Sequence, residues 1–284
     1  MSIQYGRIGK QQLSAFLPLL PENQQELLRE RDVYAAGAVK DGYACGVLLF
    51  RANALTADML HLAVAEPYRR QGIANGLIDC LCESAWQTGT AVLAAFAAAD
   101  RSEPICRLLT RRGDFTIVES EDYICRIPCD TLTSVPLHAA PPAGNRIEPF
   151  YKLPEGAQHS FLSHLREDNA EFVRGLQEER GQMLEPLCLC VTEHGAVQAA
   201  IFCQNQEGSV LLSFAYARSG HSAALVSLVS RLRELLTMAA AKVPYLYIAA
   251  VTPESRKLVE KLLPQREIVE HFYTAGWDMN TMGG

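Results

Sequence analysis

The chain has no surplus of basic residues: 26 Lys and Arg stand against 32 Asp and Glu, a formal net charge of −6 over 284 residues. A general nucleic-acid binder needs a basic face to displace counterions, and this balance argues against one. Long apolar runs are also missing. The longest near-continuous one, residues 91–99, is about half the roughly 20 residues of a membrane span. The opening MSIQYGRIGK has no basic stretch followed by an apolar one. No secretory signal is read there, and a soluble, cytoplasmic protein is expected, with no nucleic-acid or membrane partner. The C-x2-C pairs of a structural zinc site are absent. Nine cysteines, with close pairs only at Cys80/Cys82, Cys125/Cys129 and Cys188/Cys190, read instead as free, mostly buried thiols. His159 and His164 lie five apart, not at the i, i+4 spacing of a helical metal pair, and no metal is expected. Apolar residues, by contrast, are plentiful. At 49% they exclude a largely disordered chain and supply a large core.

The length suggests two domains, and five prolines between residues 128 and 149 mark the place to divide them. The expected units are residues 1–128, a linker over 129–147, and residues 148–284. Their order of elements repeats. AVKDGYACGVLLF signals a hairpin turning at Asp41-Gly42; VTEHGAVQAAIFC does so at His194-Gly195, an offset of 153 residues (194 − 41). Each hairpin leads into an apolar strand (59–64, 210–216), a small loop and a helix. The helical faces are Ile73, Leu77, Ile78, Leu81 and Ala85 in one half and Leu225, Leu228, Val229, Leu232 and Leu235 in the other. A strand (91–96, 245–251), a short helix and a terminal strand complete each half. One or two helices over 11–31 precede the first hairpin, and a longer one over 159–180 precedes the second.

One segment carries chemistry: LHLAVAEPYRRQGIANGLIDCL, residues 60–81. A strand ends at Val64, Glu66-Pro67 turns the chain, and Arg69-Arg70-Gln71-Gly72-Ile73-Ala74-Asn75 runs into the helix. A strand, a glycine loop and a helix gather backbone N–H groups at the helix's positive end, a place suited to phosphate. Gly72 lets an anion approach without a Cβ in the way, and the two arginines add charge.

This segment resembles motif A of the GNAT superfamily, the Gcn5-related N-acetyltransferases, whose signature is Q/R-x-x-G-x-G/A. Here it reads Arg69-x-x-Gly72-x-Ala74, preceded by Leu62-Ala63-Val64 and Pro67-Tyr68. The resemblance implies an α/β (α+β) fold: two tandem GNAT-like domains, each a mixed, mostly antiparallel sheet flanked by helices. The C-terminal copy, with Arg218-Ser219-Gly220-His221-Ser222-Ala223 at its loop, is expected to be degenerate. The implied co-substrate is acetyl-CoA and the implied reaction is acetyl transfer to a primary amine. By the same resemblance the amides of Arg69, Arg70, Gln71, Gly72, Ile73, Ala74 and Asn75 hold the CoA diphosphate. Leu62, Ala63 and Val64 pair with the pantetheine arm, and the Val64 N–H points at the thioester carbonyl. Asp58 stands eleven residues before Arg69, where histone-acetylating members place their general base. Strand alternation sets Asp58 on the face of Leu60, Leu62 and Val64. His61 then faces the other way and reads as an ordinary core or surface histidine. The tyrosine that protonates the leaving thiolate in many members is missing, since its position is Leu109 or Thr110. That departure keeps a second reading open, an acyl-CoA-binding regulatory module with weak or no catalysis. The chain is expected to act as a monomer or homodimer.

Overall fold

Both expected hairpins close on two-residue turns in the left-handed region: Asp41 (φ 54°) with Gly42 (83°), and His194 (50°) with Gly195 (81°). Turns of this hand match the twist of the strands they join. The computed structural model describes residues 2–9, 11–134, 139–140, 142, 144–178, 180–239 and 242–278. Residues 135–138, 141 and 143 of the expected linker, and the end of the expected C-terminal domain beyond residue 278, lie outside the described residues.

In chain order the first part runs β1 (Gln4–Arg7), α1 (Glu22–Leu27), β2 (Val33–Lys40), β3 (Tyr43–Ala52), β4 (Thr56–Val64), α2 (Ile73–Thr88), β5 (Ala91–Ala98), α3 (Pro104–Arg112) and β6 (Phe115–Pro128). It continues with β7 (Arg146–Pro149), α4 (Glu155–Asp168), α5 (Ala170–Glu178), β8 (Leu189–Glu193), β9 (Ala196–Gln206), β10 (Ser209–Ala217), α6 (Ser222–Ala239), β11 (Tyr245–Ala250), α7 (Pro253–Leu262) and β12 (Glu267–Trp277). Two expected helices are shorter than their sequence pattern. Residues 11–20 form only 3-10 turns, leaving the six-residue α1. The helix expected over 159–180 breaks at Asn169 (φ −138°, ψ 48°) into α4 and α5.

Two contact units result, and their limits differ from those expected. One comprises Met1–Ser120 with His271–Gly284, the other Glu121–Glu270. In the first, the strand order is β1-β2-β3-β4-β5-β12, antiparallel except for β4 against β5. In the second it is β6-β11-β10-β9-β8-β7, with only β10 and β11 parallel. The terminal strands are therefore exchanged. Tyr123–Pro128 of β6 pairs with β11 in the second unit, and β12 pairs with β5 in the first, from Leu93↔Gly276 to Ala98↔His271. Both strands alternate in the same way, so the pattern of apolar residues does not distinguish which sheet each one joins. Residues 129–134, read as linker, form a 3-10 turn in the second unit, where Leu132 and Cys129 join the core.

The first unit's main core lies between its sheet and the helices α2 and α3. Ile73, Leu77, Ile78, Leu81 and Ala85, the predicted face of α2, are buried there with Leu48, Val92, Leu109, Ala275 and Trp277. On the opposite sheet face Val47, Leu49 and Ala35 pack on Phe16 and Leu20. All nine cysteines are free and eight are buried. Burial pushes the Cys82 and Cys190 thiols up to about 12, so they pack as small apolar groups. Among the described residues, no helix is long and apolar enough to cross a membrane.

Candidate functional site

β4 follows β3 in register from Ala52↔Ala57 to Phe50↔Met59, then one extra residue, Leu60, bulges out before Leu49↔His61. At the same point its parallel pairing with β5, which runs from Thr56↔Ala91 to Met59↔Ala94, stops. β5 continues to Ala98 by pairing with β12 on its other edge. Residues 60–64 thus present a strand edge free of β5 and half-exposed. Leu62, Ala63 and Val64, the residues expected to meet the pantetheine arm, all lie on it.

The bulge also corrects the expected orientation of Asp58 and His61. Residues directly opposite on paired strands share a sheet face. Asp58 faces Arg51, His61 faces Leu49 and Ala63 faces Val47, so these three lie together on the face of the Phe16–Leu20 cluster. Leu62 and Val64 are on the other face, with α2. Simple alternation fails because the bulge inserts one residue and inverts the order beyond it.

After Val64 a 3-10 turn over Glu66–Tyr68 leads to Arg69, then to Arg70 in the left-handed region (φ 64°) and Gly72 (φ 80°, ψ 1°) at the start of α2. The first amide bonded into the helix is that of Gly76, to the Gly72 carbonyl at 3.0 Å. The six amides of residues 70–75 have no backbone or side-chain acceptor among the described residues, and no side chain caps the helix. Such consecutive N–H groups at a helix N-terminus are anion ligands in waiting. A Cβ built on Gly72 meets nothing within 4 Å, so the corner is open. Arg69, Arg70, Gln71 and Asn75 are exposed around it, while Ile73 is buried and anchors the helix start.

Side-chain hydrogen bonds hold the loop. Arg69 Nε donates to the Val64 carbonyl at 3.2 Å, tying the loop to the strand it leaves. Lys40 Nζ donates to Gln71 Oε1 at 2.7 Å, which brings a third cation beside the two arginines. No sequence pattern links Lys40, at the end of β2, to residue 71; only the hairpin's folding does. Gly46 and Gly76 seat the helix start closely. A Cβ at Gly46 would lie 2.7 Å from Ile73 Cγ2, and one at Gly76 would collide with the Tyr5 ring.

Arg112, at the end of α3, is a further residue the sequence did not single out. Its guanidinium reaches Asp79 at 2.8 Å, Asp114 at 2.6 Å and the Asn75 carbonyl at 3.3 Å, with the side chain only 10% exposed. It thereby pins α3 to the first turns of α2. Replacing it leaves the partly buried Asp114 unpaired; because Asp79 is half exposed, the expected cost is about 2 kcal/mol rather than the full penalty of a broken buried pair. Urea denaturation of Arg112→Met checks this value, and a change within about 0.5 kcal/mol of zero would refute the pinning role.

Asp58 is half-buried, its Oδ2 accepting from Thr56 Oγ1 at 3.3 Å. Leu109 is wholly buried in the core and Thr110 is exposed, so neither replaces the missing tyrosine. His61 Nε2 is buried with no hydrogen-bond partner, and burial lowers the imidazole pKa from its ordinary 6.5. Keeping His61 neutral contributes stability that is full above the unfolded value and lost as pH falls through the lower folded value. Thermal melts from about pH 7.5 to about pH 5 should therefore show a smaller loss of stability in His61→Gln than in the parent protein. Equal losses would contradict the burial of a neutral ring.

In the second unit β10 bulges at the corresponding place, between Leu212↔Cys203 and Phe214↔Phe202, and its pairing with β11 ends at Leu212↔Ile248. Here aromatic rings fill the adjoining face. Phe214 stacks on Phe172 with centroids 3.8 Å apart, and Tyr216 OH lies 3.2 Å from His164 Nε2. The loop before α6 uses its own groups: the His221 amide donates to the Arg218 carbonyl and the Ala224 amide to the His221 carbonyl. Among the described residues, no group of three or more His, Cys, Asp or Glu could hold a metal ion.

Residues 9–113 match the family model "Acetyltransferase (GNAT) family". No curated protein matches the chain. Among solved structures, a tandem GNAT protein from the clavulanic acid biosynthesis pathway, determined without AcCoA, is 17% identical over 97% of this chain and 98% of its own, with a TM-score of 0.61. A GCN5-related N-acetyltransferase from Sphaerobacter thermophilus is 13% identical over 98% and 96%, TM-score 0.60. One from Anabaena variabilis is 11% identical over 96% of this chain and 72% of its own, TM-score 0.59. The chain therefore has the fold of the tandem GNAT proteins, and its residues 9–113 are similar to the GNAT acetyltransferase family.

Proposed function

We propose that the first unit binds acetyl-CoA along the free edge of β4 and transfers its acetyl group directly to a primary amine. One observation carries the reading: six successive amides, residues 70–75, without an acceptor among the described residues, end at an open helix start immediately after a strand edge that has lost its neighbour. The amides and the flanking Arg69, Arg70 and Lys40 suit a diphosphate, and the strand edge suits the amides of a pantetheine arm. Acetyl-CoA supplies the thioester. The chain's part is to hold it in place and to offer the Val64 N–H to the carbonyl oxygen, where negative charge grows as an amine attacks. A protonated amine must also lose a proton first, because an ordinary alkyl ammonium, like that of lysine at about 10.4, is almost wholly charged near neutrality. The chain is proposed to act in the cytoplasm, as a monomer or homodimer and without metal.

Thiol release from acetyl-CoA, screened against spermidine, kanamycin, free lysine and an unblocked peptide, tests this reading. At least one amine is expected to release CoA in step with its own acetylation. The regulatory alternative rests on the buried Leu109, which leaves α3 without the usual acid. It predicts acetyl-CoA binding with no release for any amine.

A further inference from the structure

We infer that His61, rather than Asp58, takes the proton from the acceptor amine; this rests on the acetyltransfer reading above. His61 Nε2 is buried without a hydrogen-bond partner, in the bulged stretch of β4 that begins the free edge. A buried polar atom left unpaired costs about 1–3 kcal/mol and calls for an explanation. An ammonium N–H is a partner of the right kind, and because Nε2 is closed to solvent the surrounding side chains must shift for it to enter. Burial also keeps the ring neutral near pH 7, so it arrives able to accept.

The second unit serves as an internal contrast. At the matching bulge position stands Phe214, which cannot take a proton and is sealed against Phe172. The unit with six successive unbonded loop amides has an unpaired imidazole there; the unit whose loop bonds its His221 and Ala224 amides to its own carbonyls has a phenyl ring. Asp58 is the weaker base candidate, since its Oδ2 already accepts from Thr56 and it stands opposite Arg51. Arg51 in turn meets Glu30 at 2.6 Å and Asp32 at 3.3 Å. Arg29 and Arg31 of the segment before β2 line the same cavity as Glu30 and Ala35, and the cluster around Phe16 and Leu20 supplies the uncharged part of the face.

The ammonium gives one proton to the His61 imidazole and becomes an amine. Its nitrogen bonds to the acetyl carbon as the carbon–sulfur bond breaks, and the nitrogen's surplus proton ends on the CoA sulfur. The imidazolium then releases its proton to water.

The test uses the full chain, the amine from the panel that reacts fastest, and His61→Gln, with His61→Asn as the second variant should the first misfold. Acetyl-CoA affinity is measured in parallel by calorimetry. The expected result is a loss of kcat/KM of about 100-fold or more, disappearance of its acidic limb, and acetyl-CoA affinity within about threefold of the parent. Parent-like turnover with the acidic limb retained overturns the inference. A parent protein that binds acetyl-CoA but acetylates no amine overturns it as well. Failure to bind acetyl-CoA at all instead removes the acetyltransfer reading on which it rests.

Discussion

Gly72→Glu is expected to weaken acetyl-CoA binding by about 100-fold or more, equivalent to about 3 kcal/mol. Two effects combine and can be separated. Gly72 sits at φ 80°, where any side chain is strained by about 1–2 kcal/mol. Gly72→Ala carries that strain alone, because a Cβ there meets no neighbour. The carboxylate of Gly72→Glu adds like-charge repulsion at the place where the amides of residues 70–75 point. Both variants should melt a few degrees below the parent without ligand. Only Gly72→Glu should lose nearly all of the rise in melting temperature that saturating acetyl-CoA gives, since that rise follows ligand concentration over Kd. If Gly72→Glu keeps the parent's ligand-dependent shift, the loop does not bind the diphosphate.

Truncation after Glu270 is expected to unfold the first unit, although every removed residue lies at the far end of the chain. β12 contributes Tyr273, Ala275 and Trp277 to that unit's core and, among the described residues, it is the strand that stays beside β5 once β4 has diverged. Loss of Trp277 alone is worth about 3–5 kcal/mol. The whole strand therefore exceeds a large part of the roughly 5–15 kcal/mol that holds a domain. Amide exchange in β4 and β5, followed by mass spectrometry, should lose its protection, and acetyl-CoA binding should vanish with it. A chain ending at residue 128 should fail in the same way. Parent-like affinity in either truncated form would show that the exchanged strand is dispensable.

Much of this was legible in the sequence because it depends on local chemistry. The turns at Asp41-Gly42 and His194-Gly195, the face of α2 and the loop glycine at residue 72 each follow from a short pattern with one physical reading. What escaped was set by distance or by register. Lys40 and Arg112 reach the loop only through tertiary folding, at 2.7 Å from Gln71 and 3.3 Å from the Asn75 carbonyl. The exchange of β6 and β12 is invisible to alternation, since either strand satisfies either sheet. Alternation misplaces His61 for a smaller reason: one inserted residue at Leu60 inverts the period-2 pattern beyond it. At that same insertion β4 parts from β5, so the feature that defeats the pattern also marks the free strand edge proposed to meet the pantetheine arm.

Calorimetric titration of the full chain with acetyl-CoA, set beside acetylpantetheine, tests the central claim most directly, because the second ligand has the thioester and the arm but no diphosphate. One acetyl-CoA per chain is expected, with acetylpantetheine binding weaker by about 100-fold or more, the share assigned to the loop amides and their cations. Equal affinity for the two ligands, or no heat with millimolar acetyl-CoA, would contradict it.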